Sequence, residues 1–176
     1  MGKVTAGGKA GLFAGLIYAV VEAAAVVTLL VAFKSRVIEV ISSELPSGTT
    51  GNVNAAYTLL VATDATVAVT FGIVVGIVLG LVYSAASDRI PGRRGVTKGL
   101  ILGFILWIIL HVLADYFENL KYGLTFYLVD IGLGLGTSLV YGVLLGFFFE
   151  REMKKLAAPG ESPAVDEMGS GSSQGS

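Results

Sequence analysis

"TDATVAVTFGIVVGIVLG", residues 63–80, sets one aspartate at the head of an apolar, glycine-studded run. Every fourth residue from Asp64 gives the row Asp64, Ala68, Gly72, Gly76, Gly80. Residues 129–146, "VDIGLGLGTSLVYGVLLG", repeat the pattern as Asp130, Gly134, Ser138, Gly142, Gly146. A spacing of four keeps residues on one face of a helix. Each aspartate therefore heads a stripe of small residues, a pattern that suits close helix packing in lipid.

The rest of the chain has the composition that such stripes need. Of 176 residues, 54% are apolar and 14% charged, and the mean hydropathy is +0.79. Crossing roughly 30 Å of hydrocarbon takes about 20 helical residues. Four runs qualify, at about 10–33, 56–85, 97–117 and 123–149. The reading is all-α: a polytopic membrane protein with one four-helix transmembrane domain over residues 1–156. Lys3 and Lys9 precede the first run, but it is too long for a signal peptide and lacks a small-residue cleavage site, so a retained helix is expected. Residues 157–176 carry no core-forming pattern and read as a disordered tail, its last eight residues as an appended Gly/Ser linker.

Charge placement sets the expected orientation. Lys3, Lys9, Arg89, Arg93, Arg94, Lys98, Arg151, Lys154 and Lys155 flank one side of the spans. Only Lys34, Arg36 and Lys121 flank the other. Both termini are therefore expected in the cytoplasm, with the protein in the plasma membrane. The longer loop, between the first two spans, begins with an amphipathic stretch (Val37, Ile38, Ile41, Leu45) that continues the first helix or lies at the interface. Pro46 then breaks it, and Asn54 is the expected cap of the second long helix.

The two aspartate stripes, 66 positions apart, imply that two helical hairpins arose by duplication in parallel orientation. The first and third spans match in two registers. One sets "GLFAGLI" (11–17) on "GLILGFI" (99–105); the other sets Tyr18 and Glu22 on Trp107 and His111. Packing glycines are expected at Gly11, Gly15, Gly72, Gly76, Gly80, Gly99, Gly103, Gly142 and Gly146, pinching one end of the bundle and leaving the other open.

A charged side chain near the bilayer midplane costs at least about 2.5–3.5 kcal/mol and is buried, paired or hydrated. Glu22, Asp64, His111, Asp115 and Asp130 are expected to converge in the outer half, above an aromatic floor of Tyr18 and Trp107. No Lys or Arg is expected at that depth. A proton, or a divalent cation as cofactor, would then balance the charge, since one histidine with several carboxylates suits a hard or borderline ion. With no cysteine, thiolate chemistry is excluded, and no HExxH, GxSxG or P-loop motif is present. The expectation is a non-enzymatic transport or channel-like protein with an outward-opening acidic cation or proton site. The alternative is an accessory subunit packing through its glycine faces. The expected partners are the lipid bilayer and either further copies of the chain or other membrane subunits, not nucleic acid.

Overall fold

The computed structural model describes residues 2–44, 52–114 and 116–157, with Phe117 and Glu118 as backbone only. The elements in order are α1 (Gly2–Ala32), α2 (Lys34–Glu44), α3 (Val53–Ala86), α4 (Gly95–Trp107), a π-helical segment (Ile108–Ala114), α5 (Tyr116–Leu120) and α6 (Leu124–Ala157). Four helices are long and apolar enough to cross a membrane: α1, α3, α4 with its π extension, and α6. A helix satisfies its own backbone polar groups, which hydrocarbon cannot do for it. The outward faces of all four carry exposed apolar side chains, such as Val20, Val74, Ile109 and Phe147, as a lipid-facing surface requires. Leu45, Pro46 and Asp115 lie outside the described residues.

Local chemistry explains where the helices begin and turn. Asn52, with an extended backbone, caps α3: its side-chain oxygen accepts from the Asn54 amide at 3.0 Å and the Ala55 amide at 3.3 Å. The sequence reading placed that cap at Asn54. Asn54 already lies inside the first turn, where its carbonyl accepts from the Thr58 hydroxyl, so it cannot supply the extended cap conformation. The α1 helix ends at a turn at Phe33, and α2 follows with Val37 buried against Leu29, Leu30, Tyr57 and Phe126. Between α5 and α6 the chain turns at Gly123, whose φ of +105° is a conformation that side chains with a Cβ rarely adopt.

The helices meet through the glycine stripes. A Cβ built on Gly76 would stand 2.5 Å from the Gly15 Cα, and one on Gly15 would stand 2.9 Å from both the Gly72 carbonyl oxygen and the Gly76 Cα. Gly11 lies equally close to Gly76 and Gly80. The α4–α6 crossing is built the same way, with Gly99 against Gly142 and Gly146, and Gly103 against Ser138 and Gly142. Backbone therefore rests on backbone at both crossings. In lipid there is no hydrophobic gain from pairing apolar helices, so this contact supplies the packing.

Across the bundle the order is α3, α1, α6, α4: α1 lies against both α3 and α6, whereas α3 barely meets α4. Two tyrosines tie α3 to the far pair. The Tyr141 hydroxyl donates to the Gly76 carbonyl at 3.2 Å, and the Tyr83 hydroxyl to the Gly95 carbonyl at 2.8 Å. Both rings are buried, with Ala6, Ala10 and Ala14 of α1 and Leu145 and Phe149 of α6 around them.

Replacing Gly76 or Gly142 by alanine should lower stability by about 1–3 kcal/mol, because the added methyl meets backbone that cannot step aside. Gly132→Ala and Gly136→Ala should not, since nothing lies within 4 Å of a Cβ at either position. Melting temperatures of the four variants in one detergent decide it. Equal losses at all four would mean that the crossings are not the tight contacts.

Candidate functional site

The glycine crossings lie toward the end of the bundle that carries both chain termini. Toward the other end a cavity of about 570 Å³ opens between α1, α3, the π segment and α6, while α1 and α3 stay in contact through Leu29, Leu30 and Tyr57. Glu22, Asp64, His111 and Asp130 all line it. Three of the four are drawn together. His111 Nε2 stands 3.8 Å from a Glu22 carboxylate oxygen, and Nδ1 stands 4.0 Å from a carboxylate oxygen of Asp130. The imidazole is thus held between two carboxylates, one on each nitrogen. Its side chain is 6% exposed and theirs 13% and 12%, so all three lie in a setting where charge is poorly screened.

Each member is positioned by a specific local feature. Glu22 lies one turn above Tyr18 on α1, on the face that Gly11 and Gly15 begin. Asp130 continues the α6 stripe and accepts from the Asn119 side-chain amide of α5 at 2.9 Å. His111 depends on the π segment. From Gly15 to Glu22 is seven residues, whereas from Gly103 to His111 is eight. One extra residue would swing a straight α-helix by about 100°, and π turns absorb such a residue, frequently at functional positions. The Val112 carbonyl within the segment accepts from the Tyr127 hydroxyl of α6 at 3.0 Å. The His111 ring then lies directly on Gly134, where any Cβ would overlap it.

Asp64 occupies the opposite wall, on α3, and is only partly buried. It shares the cavity with Lys121 and Tyr122, which follow α5. Lys121 lies at the mouth of the cavity, less buried than Glu22, His111 and Asp130. It comes from the short loop beside α5, its ammonium 3.9 Å from a Glu44 carboxylate oxygen and 5.2 Å from the Tyr122 ring centre. Burial pushes the Tyr122 phenol up despite the neighbouring lysine, which pulls it down, so the group stays a neutral hydroxyl at physiological pH.

The expected aromatic floor changes in part. Tyr18 does form the cavity floor, with its ring edge-on to Tyr141 at 5.4 Å. Trp107 does not: its Nε1 donates to the Ile131 carbonyl at 2.9 Å and its ring packs on Phe104. It precedes the π segment and so points away from the face that His111 occupies. As for a divalent cation, no group of three His, Asp or Glu side chains among the described residues is arranged to hold one. The physical reason is the histidine's placement, since carboxylates on opposite ring nitrogens cannot share one metal ion with it. Such a set can instead pass or share a proton, because imidazole can accept at one nitrogen while donating at the other.

Asn119, Lys121, Tyr122 and Gly134 belong to this site and were not among the residues expected from the sequence. Gly134 was visible in the α6 stripe, but as a packing residue. The other three lie on or after a short helix that no pattern marked.

Gly134→Ala should displace the His111 ring and change its titration, while Gly132→Ala, two residues away and facing outward, should not. The chain has a single histidine, so its ring signals in an NMR pH titration need no assignment. Identical titration curves for both variants and wild type would show that the ring does not rest on Gly134.

A model of a family described as being of unknown function, DUF6789, matches residues 1–158. No curated protein and no solved structure matches the chain. The match covers nearly the whole chain and all four long helices, and the protein belongs to the DUF6789 family.

Proposed function

We propose that this protein is a small transporter or channel-like protein of the plasma membrane that moves protons, or a cation coupled to them, through the cavity walled by Glu22, His111 and Asp130. The observation that carries the reading is the imidazole set between two carboxylates in the wall of a cavity between membrane-spanning helices. Intramembrane ionisable residues are costly, and function is their usual reason. At 3.8 and 4.0 Å the groups are too far apart for direct hydrogen bonds, and water in the cavity would bridge them. His111 is the only side chain here with an unperturbed pKa in the physiological range. Asp64, Lys121 and Tyr122 sit where an entering ion would meet them first. In this role the protein is not an enzyme.

Orientation follows from the excess of Lys and Arg at the end that carries the termini. Both termini are then cytoplasmic and the cavity opens outward. The two hairpins arose by duplication: Gly11 and Gly15 contact α3 as Gly99 and Gly103 contact α6, at the same offset of 88 residues. The π segment adds the one residue that pairs Glu22 with His111. The copies have since diverged, because α1 lies on α6 while α3 barely meets α4.

A second reading, an oligomer or an accessory subunit, is favoured by one feature. The stripes at Gly72–Gly80 and Gly142–Gly146 are filled by the chain's own helices. Gly132 and Gly136 are open and face outward, a small-residue pair free for another helix.

In liposomes carrying an internal pH dye, wild-type protein should collapse an imposed pH gradient. His111→Gln, Glu22→Gln and Asp130→Asn should each reduce the rate to that of protein-free liposomes. Wild-type liposomes no leakier than empty ones would remove the transport reading. If Gly132→Leu with Gly136→Leu also lowered the mass measured in detergent, the subunit reading would lead. Cysteines at Ser47 and Ser162 should be labelled from outside and inside respectively; the reverse would overturn the orientation.

A further inference from the structure

At the other end of the bundle lies a second cavity, of about 740 Å³, between the 87–94 turn, the start of α4 and the last turns of α6. Its charged lining is five cationic side chains, Lys3, Arg93, Arg94, Lys98 and Lys154, against the carboxylates of Asp88 and Glu150. Both carboxylates are already engaged. Lys3 bonds Asp88 at 2.6 Å, holding that carboxyl below the usual range, and Glu150 accepts from the Gly95 amide at the start of α4. Lys98 is taken by the Ser87 carbonyl. Arg93, Arg94 and Lys154 remain exposed, with no side-chain hydrogen bond or ion pair among the described residues. Below them the cavity's apolar lining includes Met153, Ala157 and the edge of Phe149, with the fully buried Tyr83 ring edge-to-face against Phe149 at 5.0 Å.

We propose that this cavity binds the phosphate of an anionic phospholipid: Arg93, Arg94 and Lys154 hold the headgroup, and the wall of Met153, Ala157 and the Phe149 edge receives the upper part of the lipid. Guanidinium groups match phosphate oxygens in pairs, and basic pockets between helices at the membrane surface suit such headgroups. A general excess of positive charge would serve orientation alone, without gathering around a hollow that has an apolar wall. A free phosphate would use the same cations but leave that wall unused. The proposal is independent of what the first cavity does.

The test compares two double variants of the full-length protein in mixed micelles. R93Q/R94Q removes two cavity charges, and R89Q/R151Q removes two exposed charges of the same end that do not line the cavity. All four side chains are exposed, so both variants should melt like wild type in phosphatidylcholine. Phosphatidylglycerol should stabilise wild type and R89Q/R151Q, whereas R93Q/R94Q should need on the order of tenfold more of it. Equal responses of the two double variants, or no stabilisation of wild type, would overturn the site. Inorganic phosphate should not stabilise wild type; if it did so as well as the lipid, the lipid assignment would fall to a free anion.

Discussion

Backbone-to-backbone contact at the glycine crossings is the constraint on which the other features depend. Lipid offers helices no hydrophobic reward for pairing, so the bundle holds only where surfaces fit closely over many atoms. At Gly15–Gly76 and Gly99–Gly142 the helices approach so closely that a single methyl has no room. Both crossings lie toward one end, and the first cavity opens toward the other, lined by Glu22, Asp64, His111 and Asp130.

Within that space the π segment decides the chemistry. Without its extra residue, the helix after Gly103 would present Leu110 where His111 now lies. The α6 stripe answers with Gly134, which lets the imidazole lie flat on the helix, and then with Asp130 one turn on. The carboxylate of Glu22 reaches the ring's other nitrogen from α1. The result separates two carboxylates by an imidazole instead of gathering them around a point. Among the described residues, that geometry gathers no set of three side chains around one metal ion. Lys121, arriving from the loop beside α5, supplies a positive charge at the mouth and lowers the need for any bound cation there.

The two ends of the molecule have opposite characters. One carries an acidic hollow above Tyr18, the other a basic hollow beside Phe149 and Met153. Tyr83 and Tyr141 connect them structurally, each hydroxyl reaching a carbonyl on a neighbouring helix. These bonds tie α3, the least buried long helix, to α6 and α4.

The class and the packing residues were legible in the amino-acid sequence. Helix formation in lipid is local, because each span satisfies its own backbone, and a row at spacing four identifies a helix face without reference to any neighbour. The same logic placed Glu22, Asp64, His111 and Asp130 toward the bundle interior. The sequence could not say which of them meet. Two registers aligned α1 with α4, and only the π segment shows how the glycines follow one and His111 the other. The cap at Asn52, the outward turn of Trp107 and the entry of Lys121 were equally hidden. Each depends on a backbone conformation or a neighbouring helix several dozen residues away in the chain. Spacing along one helix determines a face. Which side chain crosses to meet it is settled only when the helices are set against each other.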